Sequence, residues 1–210
     1  KKEEPKPTPD DKPDDAPIAG KLPEGSVRFE MNTGQDMAVS RISTRNLVVE
    51  DDVQDEGEDL VAYRMTSSYP SGTRFRFYLD NKNEGYIYAF ATDLTQKINK
   101  ILPYDDGMSP IISANSTVAF PSETKVIRMD NNPGTDYLLI LFSQQKLDEK
   151  VLQQTMQTAS GGLTSKIKAA LGDKLIDESM VSYSSGNAGF KVKDGAKGYV
   201  VPLMVEITHQ

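Results

Sequence analysis

From Val27 to Met31 the chain alternates, with Val27, Phe29 and Met31 apolar against Arg28 and Glu30. This is the period-two pattern of a strand with one buried face. Residues 46–50 and 60–65 read as further short strands. The most specific stretch runs from Arg74 to Phe90. Phe75, Phe77 and Leu79 share one strand face, and Arg74, Arg76 and Tyr78 share the other. After a cluster of turn-forming residues, Tyr86, Tyr88 and Phe90 fall on one face and Ile87, Ala89 and Ala91 on its opposite. Two aromatic-rich runs around such a turn predict an antiparallel β-hairpin. Small alanines set against large aromatics predict close packing on another layer. Residues 98–102 and 125–129 read as strands. Asp130-Asn131-Asn132-Pro133-Gly134 is a turn in which Pro presets φ and Gly accepts a positive φ. Tyr137 to Phe142 is apolar throughout, as expected of a central strand covered on both faces.

A helical period follows. Leu147, Val151, Leu152, Met156 and Ala159 form one stripe, with Asp148 placed to cap the first turn. Gly161-Gly162 interrupts it. Leu163, Ile167, Ala170 and Leu171 form a second stripe, closed by Gly172 at a position suited to a left-handed cap. Strand patterns return at 180–184, 188–193 and 198–207. Leu203, Val205 and Ile207 alternate there, and Pro202 implies an edge or a bulge. Many short strands with one late helical pair predict a mainly β fold, all-β leaning to α+β. The expected architecture is an Ig-like antiparallel β-sandwich with a helical pair near residues 148–171.

Composition changes this picture mainly at the start. Residues 1–22 hold Pro5, Pro7, Pro9, Pro13 and Pro17 among mixed charges, a composition that cannot build a core and favours an extended, semi-rigid path. The expected organisation is a disordered Pro-rich linker over 1–22 and a single β-sandwich domain with a helical insertion over 23–210. A tether of this kind suits a domain held away from an anchor upstream of Lys1. The net charge of −7, without any basic run, argues against nucleic acid as a partner. Cysteine is absent, which removes disulfides and thiol chemistry. No apolar run reaches the length of a membrane span.

Candidate chemistry is sparse. The only histidine, His209, is penultimate, and a chain end of this kind predicts an exposed, mobile side chain unfit as a general base. Ser-x-x-Lys occurs at Ser122–Lys125 and Ser165–Lys168, without the companion motifs of penicillin-recognising enzymes. An EF-hand template from Asp52 fails because its twelfth position is Tyr63. Seven acids within Glu50–Asp59 predict a solvated loop, with a loose cation site at Asp51, Asp52, Asp55 and Asp59 as the sharper alternative. Paired carboxylates for hydrolysis are not excluded by spacing. Sugar-stacking is disfavoured because Trp is absent and Tyr86, Tyr88 and Tyr137 sit in strand patterns. No catalytic, cofactor-binding or metal-ligating residue is therefore assigned.

Several pieces of this chain occur in a familiar order: Arg74-Phe75-Arg76-Phe77, Gly85-Tyr86-Ile87-Tyr88, Leu102-Pro103-Tyr104, Phe120-Pro121, and Pro133-Gly134-Thr135 before Tyr137-Leu138-Leu139-Ile140. Over roughly residues 70–145 the chain resembles domain-of-unknown-function family 4384, with Leu-Pro-Tyr standing where Leu-Phe-Pro is commoner. The resemblance implies a bacterial accessory β domain, within a longer exported protein, that carries no catalytic residues. The expected function is a non-enzymatic interaction or scaffold domain, periplasmic or at the cell surface. Its partner would be another protein or an envelope component. A glycan-, peptide- or calcium-binding module is the alternative, and a hydrolase ranks behind both. Tyr104, Asp105 and Asp106 are the candidate partner-contact loop.

Overall fold

The alternating segments do form strands, and their apolar faces meet between two sheets. The structure, a computed structural model, describes residues 22–42, 60, 62–93 and 97–210. All of the predicted linker but Leu22, the strand over 46–50 and the acidic run over 50–59 lie outside the described residues. In chain order the strands are β1 (Glu24–Met31), β2 (Asp36–Met37), β3 (Val39–Ile42), β4 (Ala62–Met65), β5 (Arg74–Asn81), β6 (Gly85–Thr92), β7 (Asn99–Leu102), β8 (Ile111–Ile112), β9 (Ser116–Phe120), β10 (Ile127–Arg128) and β11 (Gly134–Ser143). Helices α1 (Glu149–Thr158) and α2 (Leu163–Leu171) follow, then β12 (Val181–Tyr183), β13 (Ala188–Val192) and β14 (Val200–His209).

The first sheet has the order β10-β5-β1-β13-β12, with β2 on β1 and β9 on β5. The second has the order β3-β4-β14-β11-β6-β7, with β8 on β6. Among the described residues every ladder is antiparallel except β4 on β14. Phe29, Phe77 and Leu79 of the first sheet pack with Ile87, Ile140 and Val205 of the second in one core. The second sheet is apolar on its other face too. There Tyr88, Phe90, Leu139 and Leu141 pack with Leu152, Met156, Ile167 and Leu171 of the helices. The layers are thus sheet, sheet and helix pair, and β11 is the expected strand covered on both faces.

The helical pair starts at the expected cap and ends at the expected glycine. Asp148 Oδ1 accepts the N–H groups of Lys150 and Val151 at 3.0 Å each, and Gly172 ends α2 with a φ of +50°. Val151 leaves the predicted stripe and is 56% exposed. It sits about 100° around the helix from Leu152, beyond the narrow face that the sheet covers. Pro202 pairs with Leu141 on one flank, while β4 joins β14 only from Met204 onward. Its other flank is therefore a local edge, as a missing N–H requires.

The predicted hairpin does not form. β5 and β6 lie in different sheets, and residues 82–84 carry the chain across the core as an arch. Both strands need an apolar face buried, and stacking them across the core does this as well as pairing them. The arch holds because two buried asparagines replace the missing ladder bonds. Asn81 Nδ2 donates to the carbonyls of Asn83 and Ser113, the latter at 2.9 Å. Asn83 Oδ1 accepts from Glu24 N at 2.9 Å, and Lys82 N donates to Glu24 O at 3.0 Å. Gly85 then starts β6 where a Cβ would stand 2.7 Å from the Phe142 ring and 2.8 Å from the Ser143 carbonyl oxygen. Only glycine allows that approach.

Candidate functional site

The predicted contact loop follows β7. Tyr104 is 38% exposed, and Lys125 Nζ stands 3.8 Å from its ring centroid. Asp105 Oδ1 accepts from Gly107 N at 2.9 Å and so closes its own turn. Asp106 lies 3.9 Å from Lys100 Nζ, which also approaches Glu149 at 3.7 Å. The three residues do not converge on one point. Tyr104 alone reaches a shallow groove of about 470 Å³, lined by all of β9 together with Met108, Ile111 and Pro121. Ile111 is 50% exposed and shares this groove; among the described residues the other exposed large apolar side chain is Val151, away on α1. β9 bonds to β5 on one flank. Its outer flank meets no partner strand and no backbone hydrogen bond among the described residues. Sequence reasoning missed this strand, since Ser116-Thr117-Val118-Ala119-Phe120 has no strong alternation.

His209 corrects an expectation. It is 2% exposed and ends β14, because positions 203, 205, 207 and 209 share the face that packs into the core. The same alternation that marks Leu203, Val205 and Ile207 extends to His209, which was the available signal. Ser71 Oγ lies 2.8 Å from His209 Nδ1. His209 Nε2 stands 3.3 Å from Asp136 Oδ2 and 3.9 Å from Asp130 Oδ1, yet has no hydrogen-bond partner. Burial is the largest cause raising the Asp136 carboxyl above its ordinary value; Asp130 and Asp93 add to it and His209 opposes it.

Serine, histidine and aspartate in this order suggest nucleophilic catalysis. Such chemistry also needs donors aimed at a developing oxyanion. The N–H groups of Ser71, Gly72 and Thr73 instead donate to the carbonyls of Gln210, Asp130 and Pro70, at 2.8, 3.0 and 3.1 Å. The cluster fastens the last strand to the segment before β5.

Other candidates have structural employment. Ser122 Oγ accepts from Lys125 N at 3.0 Å, so the first Ser-x-x-Lys match is a turn; Ser165 of the second lies on α2. Burial pushes the Tyr88 phenol up to about 12, and its oxygen accepts from Leu147 N at 2.8 Å. Tyr86 and Tyr137 pack on the cluster beneath the helices. The loose cation site at Asp51, Asp52, Asp55 and Asp59 lies outside the described residues. Among the described residues, no grouping of three or more His, Asp or Glu side chains is disposed to hold a metal ion. No helix there is long and apolar enough to cross a membrane.

Residues 68–146 fit the family described as Domain of unknown function (DUF4384). Over this stretch, less than half of the chain, the sequence is similar to DUF4384. Its span runs from the bridge at Tyr69 through β5 to β11, so the DUF4384 region contributes to both sheets and includes the arch. The whole β9 groove falls inside it, as do Ser71, Asp130 and Asp136, whereas His209, β1 and the helices fall outside. Gly85 of the DUF4384 pattern has the steric role given above, and the Leu102 and Phe120 side chains of its two proline motifs are buried. Neither a curated protein nor a solved structure matches the chain.

Proposed function

We propose that this chain is a non-enzymatic, Ig-like interaction module of an exported, envelope-tethered bacterial protein, and that it docks an extended segment of a partner protein along β9. The observation that carries this reading is the unpaired outer edge of β9 running beside exposed Tyr104 and Ile111. An extended segment laid on such an edge gains main-chain hydrogen bonds, and its alternate side chains meet the groove. Apolar residues would cover Tyr104 and Ile111. A basic residue would face Glu123 on the groove wall, and an acidic one Lys125 above the Tyr104 ring. The walled-in histidine and the occupied backbone donors around Ser71 support the non-enzymatic part. The Pro-rich composition before Leu22 supports the tether.

The test uses peptides selected from a display library against the whole chain. Tyr104→Ala with Ile111→Ser should leave the thermal midpoint unchanged, since both side chains are exposed. The pair should weaken the selected peptides at least about tenfold, the effect of losing roughly 1.4 kcal/mol. Bound peptide should also slow amide exchange in β9. Peptides indifferent to both substitutions, with β9 exchange unaltered, defeat the reading.

A further inference from the structure

Between the sheets, where β11 begins and β14 ends, lies a cavity of about 190 Å³. It shares no lining residue with the β9 groove. Its floor is apolar, formed by Phe75, Ile101, Leu138 and Ile207; Asp93 also lines it, and its rim carries Asp130 and Asp136. Behind these two carboxylates stands His209, its side chain 0% exposed and its Nε2 without a hydrogen-bond partner. That nitrogen is directed at the same pair, 3.3 Å from Asp136 and 3.9 Å from Asp130. Arg128, also on the rim, donates to Asn131 Oδ1 at 3.1 Å.

Asp136, at the mouth of an apolar cavity, is largely withdrawn from water and burial disfavours its charged form, while Asp130 beside it is half-exposed. A cationic head would offset that cost, and a short aliphatic stem would cover the floor. We propose that this cavity binds a primary alkylammonium group, presented by a free small amine or by a lysine side chain. At roughly 30 Å³ per water-sized group, its volume admits the heavy atoms of a butylammonium ion.

The experiment titrates the whole chain with n-butylammonium chloride while methyl resonances of Ile101, Leu138 and Ile207 are followed by NMR. A saturable shift is expected, with a Kd on the order of 1 mM, about 4 kcal/mol. n-Butanol, the neutral isostere, should not reproduce it. Asp136→Asn should weaken binding about tenfold or more, the scale of one charge-assisted contact. Ala91→Leu puts a larger apolar side chain into the cavity and keeps Asp136, should abolish the shifts, and carries the test if the Asp136 variant misfolds. N-acetyl-lysine amide binding as well as butylammonium assigns the site to a peptide lysine; butylammonium binding alone assigns it to a free amine. Equal saturation by n-butanol, indifference to both substitutions, or no saturable shift up to about 50 mM overturns the proposal.

Discussion

Asp136 is pulled two ways, and stability should record the outcome. Burial raises its carboxyl above the ordinary 3.8, Asp130 and Asp93 push the same way, and His209 opposes them. A folded pKa above the unfolded one means that the folded chain holds this proton longer. Between 3.8 and the raised value, stability therefore falls as pH rises. The cost is absent below that window and fully present above it. Asp136→Asn removes the titration, so the variant should gain on the parent as pH climbs through the window. Urea midpoints for both chains, taken at intervals from about pH 3 to about pH 6, measure the difference. Two curves that stay parallel would show that Asp136 titrates as an ordinary carboxylate.

At the scale of elements, the arch between β5 and β6 rests on Asn81. Its side chain is 2% exposed and donates to the carbonyls of Asn83 and Ser113. Asn81→Ala leaves the buried Asn83 carbonyl unpaired, whereas the Ser113 carbonyl still accepts from Ser116 Oγ at 2.6 Å. Guanidinium unfolding should show a loss of about 1–3 kcal/mol for the one group left unmet; a loss within error would mean that water replaces the amide. The same arch explains what was legible in the chain. Alternation reports which face of a strand is buried, and by that signal β1, β5, β6 and β14 were located, while β11 was legible as a continuous apolar run. It does not report which strand lies alongside, so Asp80-Asn81-Lys82-Asn83-Glu84-Gly85 reads equally as a hairpin turn or as an arch. The β9 groove was beyond reach for a related reason. Tyr104 could be singled out as an exposed aromatic, but its groove is completed by a weakly patterned strand that folding brings beside it. His209 was legible through the parity of 203, 205 and 207, and was obscured by the expectation that chain ends are mobile.

The molecule as a whole has two apolar clusters that share no side chain, one between the sheets and one beneath the helices. Separate clusters could open separately, with the helix pair undocking while the sandwich survives. The strands argue otherwise. β11 sends Leu138, Ile140 and Phe142 into one cluster and Leu139 and Leu141 into the other, and β6 divides Ile87 and Ala89 from Tyr88 and Phe90 in the same way. The helical segment is also tied at both ends, by Gln144 N to Tyr199 O at 3.0 Å and Ile176 N to Val200 O at 3.0 Å. Losing the helices would leave Tyr88, Phe90, Leu139 and Leu141 facing water on central strands, a large apolar patch that a sheet does not sustain. The two clusters should therefore unfold together. Ile167→Ala, at a position that is 0% exposed, should lower global stability by about 2–5 kcal/mol. Native-state hydrogen exchange should show amides of α2 and of β1 losing the same increment of protection. If α2 exchanges through a lower opening while β1 keeps its full protection, the helix pair is a detachable cover and the shared strands do not couple the layers.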